Sequence, residues 1–166
     1  MDINKINKQF EVKKITNDDL ENILEYVALE HDVNKLTPTK ESILDTMSKA
    51  EGDKDRYYLC LYEFCQAVCL LDFSLVNNDI KLNFIYMVRI FKRYGLGTSI
   101  IQHLAQYMQG LGYENIIADN YKDNEIGKAF LTSIGFKLLD DTNNEFDRYI
   151  WNIKGFKIYS VLDKFK

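Results

Sequence analysis

Apolar residues recur along the chain with two periods, about 2 residues in strand-like segments and about 3.6 in helix-like ones. The strand-like segments cover residues 10–16, 56–63, 65–76, 79–88, 115–119, 136–141 and 146–154. The helix-like segments begin near residues 17, 37, 98 and 124. This order of strands and helices predicts a mixed α/β chain with a strand-to-helix crossover at its centre.

The segment 79–88 predicts a strand that is covered on both faces. Simple alternation places five apolar side chains on one face: Ile80, Leu82, Phe84, Tyr86 and Val88. Ile85 and Met87 make the end of the other face apolar as well. An apolar strand of this kind belongs inside a sheet rather than at its edge.

The composition indicates one globular domain. Of the 166 residues, 46% are hydrophobic and 28% are charged, and no repeat or linker interrupts the pattern. We expect a single domain with its core in residues 10–154 and a C-terminal extension over residues 155–166. The extension is apolar at alternate positions, which fits either an added edge strand or contact with a second subunit in a homodimer.

Charge, hydropathy and metal-ligand types exclude several functions. The formal net charge of −4 argues against nucleic-acid binding. No segment approaches the roughly 20 apolar residues of a membrane span, and the polar start lacks a signal segment, so we expect a cytoplasmic protein without a membrane partner. Cys60, Cys65 and Cys69 read as core thiols, and with only two histidines no metal site is expected.

The segment KRYGLGTSII, residues 92–101, combines two glycines, two cations and the start of an amphipathic helix. Glycine lets a backbone approach a ligand closely, and the first N–H groups of a helix favour a bound anion. Lys92 and Arg93 add positive charge that suits a pyrophosphate. A tight turn before a helix is the alternative. A dinucleotide fingerprint would need glycine at position 100, which is Ile100, and a Walker loop would need Gly-Lys-Ser/Thr, which is absent.

These residues resemble the phosphate loop of the GNAT family of N-acetyltransferases, Gln/Arg-x-x-Gly-x-Gly/Ala, between the fourth strand and the third helix. Here the match is residues 92–97, KRYGLG, and the later NEIGKAFLTSIGF, residues 124–136, resembles a second family motif. The resemblance implies a mixed, mostly antiparallel sheet flanked by helices. In that fold the fourth strand splays from the fifth, here after Met87 and Val88.

The resemblance also implies acetyl-CoA as co-substrate and an amine, on a small molecule or a peptide, as acceptor. Strand backbone groups would bind the pantetheine arm, the loop would hold the pyrophosphate, and an asparagine on the next helix would contact the arm. The residues in these positions are Met87, Val88, Lys92, Arg93, Tyr94, Gly95, Leu96, Gly97, Thr98 and Asn124.

Four positions depart from the family pattern. Lys92 replaces glutamine or arginine and cannot make the fork of bonds that a guanidinium makes. Tyr94 stands where a basic residue is usual. Gly127 replaces an alanine, which weakens the helix by roughly 1 kcal/mol unless close packing requires the missing methyl. Leu131 occupies the position of the family tyrosine that often protonates the departing thiolate, so that role is not carried over.

Catalytic groups are less evident than the loop. An ammonium must lose a proton before it attacks, and the family often places a glutamate on the fourth strand for this purpose. The equivalent position is Asn83, which cannot act as a base. Residues 119–121 are predicted to follow the fifth strand near the thioester, and Tyr121 is a candidate acid there, with an ordinary loop aromatic as the alternative.

The acceptor region of the family lies between the loop joining the first two helices and the loop joining the last two strands. Six carboxylates fall there and could attract a cationic amine, although a solvated acidic surface is the simpler explanation: Glu30, Asp32, Asp140, Asp141, Glu145 and Asp147. Two other functions stay open. One is a CoA-binding or regulatory module without catalysis, and the other is a plain interaction domain.

Overall fold

The structure is a computed structural model that describes residues 1–28, 37–88, 91–92, 94–140 and 145–158. The strands are β1 (Glu11–Lys14), β2 (Arg56–Glu63), β3 (Gln66–Val76), β4 (Asp79–Met87), β5 (Asn115–Tyr121), β6 (Lys137–Asp140) and β7 (Phe146–Asn152). The α-helices are α1 (Leu20–Ala28), α2 (Lys40–Gly52), α3 (Leu96–Gly110) and α4 (Glu125–Ile134). Short 3-10 helices span Ile3–Lys5 and Asn17–Asp19. The predicted order of strands and helices is confirmed.

The seven strands form one sheet in the order β1-β2-β3-β4-β5-β7-β6. Neighbouring strands are antiparallel, except that β4 and β5 run parallel and are connected through α3. The predicted mixed, mostly antiparallel sheet is therefore confirmed. Because parallel neighbours point the same way, the ends of β4 and β5 and the starts of the helices that follow lie at one edge of the sheet.

Each face of the sheet supports a separate apolar core. On one face, buried side chains of α3 and α4, such as Leu104 and Leu131, pack with Phe73 and Trp151 from the strands. On the other face, α1 and α2 pack over β2 and β3. Within the described residues, no helix is both long and apolar enough to cross a membrane.

Two local predictions are corrected in the first half of the chain. Helix α2 starts at Lys40 with Thr39 as its N-cap, so Pro38 precedes the cap rather than occupying the first turn. Strands β2 and β3 form a hairpin, and Cys65, which was predicted to be a core thiol, lies in its turn and is exposed, whereas Cys60 and Cys69 are buried as expected. The side chain of Cys65 is exposed because the turn projects beyond the core, although the residues on either side of it are mostly apolar.

The predicted face pattern of β4 is wrong because the strand contains a bulge. Asp72 and Phe73 of β3 pair with Phe84 and Leu82, which leaves Asn83 as an extra residue. Side chains after the bulge therefore change face: Ile80 and Leu82 join the core under α3 and α4, whereas Phe84 and Tyr86 join the core under α1 and α2. Both faces of β4 are covered, as predicted.

Candidate cofactor-binding site

The sheet opens between β4 and β5. Their ladder runs only from the pair Asp79 and Asn115 to the pair Leu82 and Ala118. Beyond that point, β4 continues to Met87 and β5 to Tyr121 without pairing to each other. The separation begins at the bulge, several residues earlier than the predicted position after Met87 and Val88. Two unpaired strand edges thus border a gap that faces the starts of α3 and α4.

Helix α3 begins at this gap, and its start has no side-chain cap. The N-cap is Gly95, with φ of 75°, a left-handed conformation that glycine adopts without strain. Ser99 N–H donates to Gly95 O at 3.0 Å and is the first intrahelical donor, so the N–H groups of Leu96, Gly97 and Thr98 come before it and have no acceptor within the helix. The helix starts two residues before the predicted Thr98. N–H groups without an acceptor inside the helix and the helix dipole together favour an anion here.

Gly97 lies inside the first turn of α3 and is buried between two other elements. A methyl group at this position would lie 3.2 Å from Phe130 Cε2 of α4 and 3.5 Å from Met87 Cγ at the end of β4. The glycine therefore permits α3, α4 and β4 to meet closely beside the gap. Gly97 was predicted to lie in the loop, but it lies in the first turn of α3, and the close contact with Phe130 and Met87 explains why glycine is needed there.

The other loop residues differ in their surroundings. The Lys92 ammonium lies 5.0 Å above the ring of Tyr86, an attractive cation–π arrangement on the side of the sheet that carries α1 and α2. Tyr94 is 77% exposed, beside Gly95. Arg93, the second cation predicted for this loop, lies outside the described residues.

Met87 and Val88 stand at the open end of β4. Val88 N–H donates to Val68 O of β3 at 3.0 Å, and Val88 O accepts from Phe91 N–H at 2.9 Å, so both groups already have partners. Backbone groups alternate sides along a strand, so those of Met87 point away from β3, toward the gap. Of the two predicted residues, Met87 has the backbone better placed for a ligand in the gap.

Two asparagines join the end of β5 to the start of α4. Asn124 is the N-cap of α4, and its Oδ1 accepts from Gly127 N–H at 3.1 Å. Asn120 donates through Nδ2 to the backbone oxygens of Tyr121 and Asn124, at 2.9 and 3.1 Å. Asn124 Nδ2 in turn donates to Asn120 Oδ1 at 2.9 Å. A methyl on Gly127 would overlap Asn120 Oδ1 and Asn124 Nδ2, which explains the missing alanine.

We expect the substitution Gly127→Ala to destabilise the protein, although alanine is the better helix former by about 1 kcal/mol. The added methyl would displace the two asparagine amides and break bonds worth about 1 kcal/mol each. Chemical denaturation measures the change. The matched control is Gly110→Ala at the end of α3, where nothing lies within 4 Å and no loss is expected. Equal effects of both substitutions would contradict this explanation.

Two positions were considered for a catalytic acid: position 131, where the family has a tyrosine, and the substitute candidate Tyr121. Leu131 is 5% exposed and belongs to the apolar core under α4. Tyr121 lies within β5, not after it, and its ring centroid is 4.3 Å from that of Phe146 on β7. Alternation along β5 places Tyr121 on the opposite face from Asn120. The Tyr121 side chain thus packs against β7, on the face of the sheet opposite to the Asn120 side chain.

The bulge of β4 is held by a buried ion pair. Asp72 is 2% exposed and accepts from Arg56 Nε at 3.0 Å and Arg56 Nη2 at 2.6 Å. Asn83 Nδ2 donates to Asp72 Oδ1 at 3.3 Å and to Ser74 Oγ at 2.9 Å. The hydrogen bond to Asp72 raises the pKa of the Arg56 guanidinium, so Arg56 stays charged. An acid at position 83 would face Asp72, which is a physical reason for an amide there.

Only two of the six proposed acceptor carboxylates lie within the described part of the chain. Glu145 is exposed, and Asp147 Oδ1 lies 3.8 Å from Lys122 Nζ. Glu30, Asp32, Asp141 and the side chain of Asp140 lie outside the described residues. An acceptor surface formed by these six residues therefore stays a prediction.

We expect Asp119 to make a pH-dependent contribution to the free energy of unfolding. Hydrogen bonds from Arg148, at 2.7 and 3.0 Å, and the nearby Lys81 ammonium hold the pKa of this carboxyl below its usual value of 3.8. The unfolded chain takes up the proton more readily, so this stability is present above about pH 4 and is lost as the pH falls through the folded pKa. Melting temperatures of wild type and Asp119→Asn, measured from pH 7 to pH 3, should converge at the acid end. A constant difference would contradict the prediction.

Sequence reasoning did not find the roles of Asp72 and Asn120. Asp72 is a charged residue within an otherwise mostly apolar strand, and that isolation is a signal for a buried, paired charge. Asn120 was predicted to lie in a loop because the apolar run ends at Ala118. Its only signal is the spacing of Asn120, Asn124 and Gly127, which brings the three together once α4 begins at Glu125.

Comparison with known proteins supports the same fold. The family model described as "Acetyltransferase (GNAT) domain" matches residues 12–150. PaiA N-acetyltransferase from Thermoplasma acidophilum, solved in complex with coenzyme A, is 16% identical, with a TM-score of 0.65 over 86% of this chain and 98% of its own. An acetyltransferase from Thermus thermophilus is 22% identical, with a TM-score of 0.73 over 87% and 97%. No curated protein sequence matches the chain.

Proposed function

Because the chain belongs to the GNAT family of acetyltransferases, we propose that it transfers an acetyl group from acetyl-CoA to a primary amine. The observation that carries the proposal is the gap between β4 and β5 with the uncapped start of α3 beside it. The solved structure of PaiA N-acetyltransferase with coenzyme A supports the choice of cofactor. The acceptor is a small-molecule or peptide amine.

The residues around the gap fit coenzyme A in two places. The N–H groups of Leu96, Gly97 and Thr98 and the helix dipole suit its pyrophosphate. Lys92, whose ammonium lies over Tyr86 on the side of the sheet that carries α1 and α2, would have to turn away from that ring to add a cation. The backbone groups of Met87 and the amide of Asn124 flank the space that would receive the pantetheine arm. Coenzyme A would supply an activated thioester there.

The reaction is direct attack within a ternary complex. The amine nitrogen forms a bond to the acetyl carbon, the carbon–sulfur bond breaks, and the departing thiolate takes up a proton while the nitrogen loses one. This chain would act mainly by holding the two reactants in line, which alone lowers a barrier substantially. Tyr121 stays the proposed proton donor, although its ring lies against Phe146.

A module that binds CoA without catalysis is the second candidate. Two observations favour it: Leu131 is buried in the core, and Asn83 is engaged by Asp72 and Ser74. Neither position can donate or accept a proton as an acid or base. Such a module would keep the gap and the start of α3 and would bind CoA without releasing free thiol from acetyl-CoA.

The test is thiol release on mixing the protein with acetyl-CoA and a panel of amines that includes polyamines, aminoglycosides and lysine peptides. The proposal predicts amine-dependent release of thiol, with the acetylated amine identified by mass spectrometry. Tight CoA binding without release across the panel would favour the second candidate. Absence of CoA binding would contradict both and leave an interaction domain.

A further inference from the structure

The two linked asparagines, Asn120 and Asn124, have an orientation that follows from their partners. The backbone oxygens of Tyr121 and Asn124 only accept hydrogen bonds, so the Asn120 side chain must present Nδ2 to them. Its Oδ1 must then face Asn124, whose Nδ2 is the donor. The other atom of the Asn124 amide, Oδ1, receives Gly127 N–H. The network admits no flipped alternative.

This orientation determines what Asn124 can offer to a ligand. One hydrogen of its Nδ2 is used by Asn120, and among the described residues the second hydrogen has no partner. A flipped amide would turn Oδ1 toward Asn120 and remove the cap on Gly127. Asn124 thus has a donor available, at the start of α4.

The start of α4 borders the gap between β4 and β5. Asn124 lies three residues after Tyr121, the last residue of β5, and it is only partly buried. Phe130, on the same helix, lies beside Gly97 of α3 and near the end of β4. Asn120, by contrast, is 8% exposed and cannot reach a ligand itself. Any effect of Asn120 on a ligand must pass through Asn124.

We propose that Asn120 is a positioning residue for the cofactor: it holds the Asn124 amide so that an N–H donor meets a carbonyl of the pantetheine arm. This inference rests on the proposed function, because it takes coenzyme A as the ligand of the gap. Gly127 is part of the device, since a methyl there would enter the space of both amides. On this proposal, the asparagine pair affects binding of the pantetheine arm and leaves binding of the pyrophosphate unchanged.

The substitution Asn120→Asp tests the proposal with little change in shape. The new carboxylate is repelled by the two backbone oxygens to which Asn120 donates, so it is displaced, and the Asn124 amide loses the acceptor that fixes its orientation. Affinity is measured by calorimetry with two probes: coenzyme A, and phosphoadenosine diphosphate, which keeps the pyrophosphate but lacks the arm. We expect binding of coenzyme A to weaken about tenfold and binding of the fragment to stay unchanged.

Non-additivity supplies a second measurement. If Asn120 acts only through Asn124, the double variant Asn120→Asp with Asn124→Ala should bind coenzyme A no more weakly than Asn124→Ala alone. An additive loss would overturn the positioning role, as would unchanged coenzyme A affinity in Asn120→Asp. A parallel loss for both probes would also overturn it, because it would indicate general damage to the site. If the wild-type protein binds neither probe, the proposed function itself fails. This outcome is seen with the wild type alone and is thus distinct from a failure of the positioning role, which is seen only in the variants.

Discussion

Replacing Asp72 by asparagine is expected to lower the free energy of unfolding by about 3 kcal/mol, among the largest effects available to a single substitution in this chain. The change keeps the size of the side chain and removes its charge. Arg56, whose side chain is only 21% exposed, would then retain a positive charge without its carboxylate partner. An uncompensated charge in a poorly hydrated position is costly, whereas the intact pair merely offsets its own desolvation.

The control for Asp72 is the same substitution on the surface. Asp45 pairs with Lys49 one turn later on α2, and both side chains are more than half exposed. Exposed pairs of this kind contribute about 0.5 kcal/mol, so Asp45→Asn should change stability little. Urea denaturation of both variants measures the difference. Similar losses at the two sites would show that the Asp72 pair is no more important than a surface pair.

Replacing Gly97 by glutamate is expected to weaken coenzyme A binding by at least about a hundredfold, because a carboxylate near a pyrophosphate repels it by several kcal/mol. The structure sharpens the mechanism, since the side chain would start toward Phe130 and Met87. A charged group cannot remain between these apolar side chains. It would turn into the gap between β4 and β5, where it would obstruct the arm as well as repel the phosphates.

Gly110→Glu is the matched control for Gly97→Glu. Gly110 is the last residue of the same helix, and nothing lies within 4 Å of a methyl placed there. Calorimetry should give wild-type coenzyme A affinity for Gly110→Glu and no measurable binding for Gly97→Glu. Circular dichroism checks that both variants are folded. Because Phe130 is only partly buried, its ring can give way by the few tenths of an ångström that the new Cβ needs. Retained binding in Gly97→Glu would refute the assignment of the loop.

The order of strands and helices was predictable because long segments repeat one period. Helix α3 carries buried Ile100, Leu104 and Met108 on one stripe, and that stripe is visible in the printed sequence. The ends of elements were less predictable. Near the start of helix α4, the apolar Ile126 is 80% exposed, since the buried stripe runs through Leu131 and Ile134.

The faces of β4 could not be predicted by alternation. The bulge at Asn83 arises from how β4 pairs with β3, and a single strand contains no record of its partner's register. Asp72 gives the physical cause, because its carboxylate binds the Asn83 amide across the two strands. The long-range pairing, rather than local propensity, decides which side chains of β4 meet α1 and α2.

The candidate site was predictable where backbone chemistry defines it and not where side chains do. Gly95 and the residues after it were identified from glycine spacing and from the helix that follows, and that helix begins there. The link between Asn120 and Asn124 depends on where β5 ends, which is two residues later than the predicted strand end at residue 119. The departure at Gly127 was noticed in the sequence, but its reason is visible only in three dimensions.

A crystal structure of the protein with coenzyme A tests the central claim most directly. The account predicts pyrophosphate oxygens within hydrogen-bonding distance of the backbone N–H groups at the start of α3, after Gly95. It also predicts the pantetheine arm between β4 and β5, beyond Leu82 and Ala118. Coenzyme A bound elsewhere, or a gap that the cofactor does not enter at saturating concentration, would contradict it.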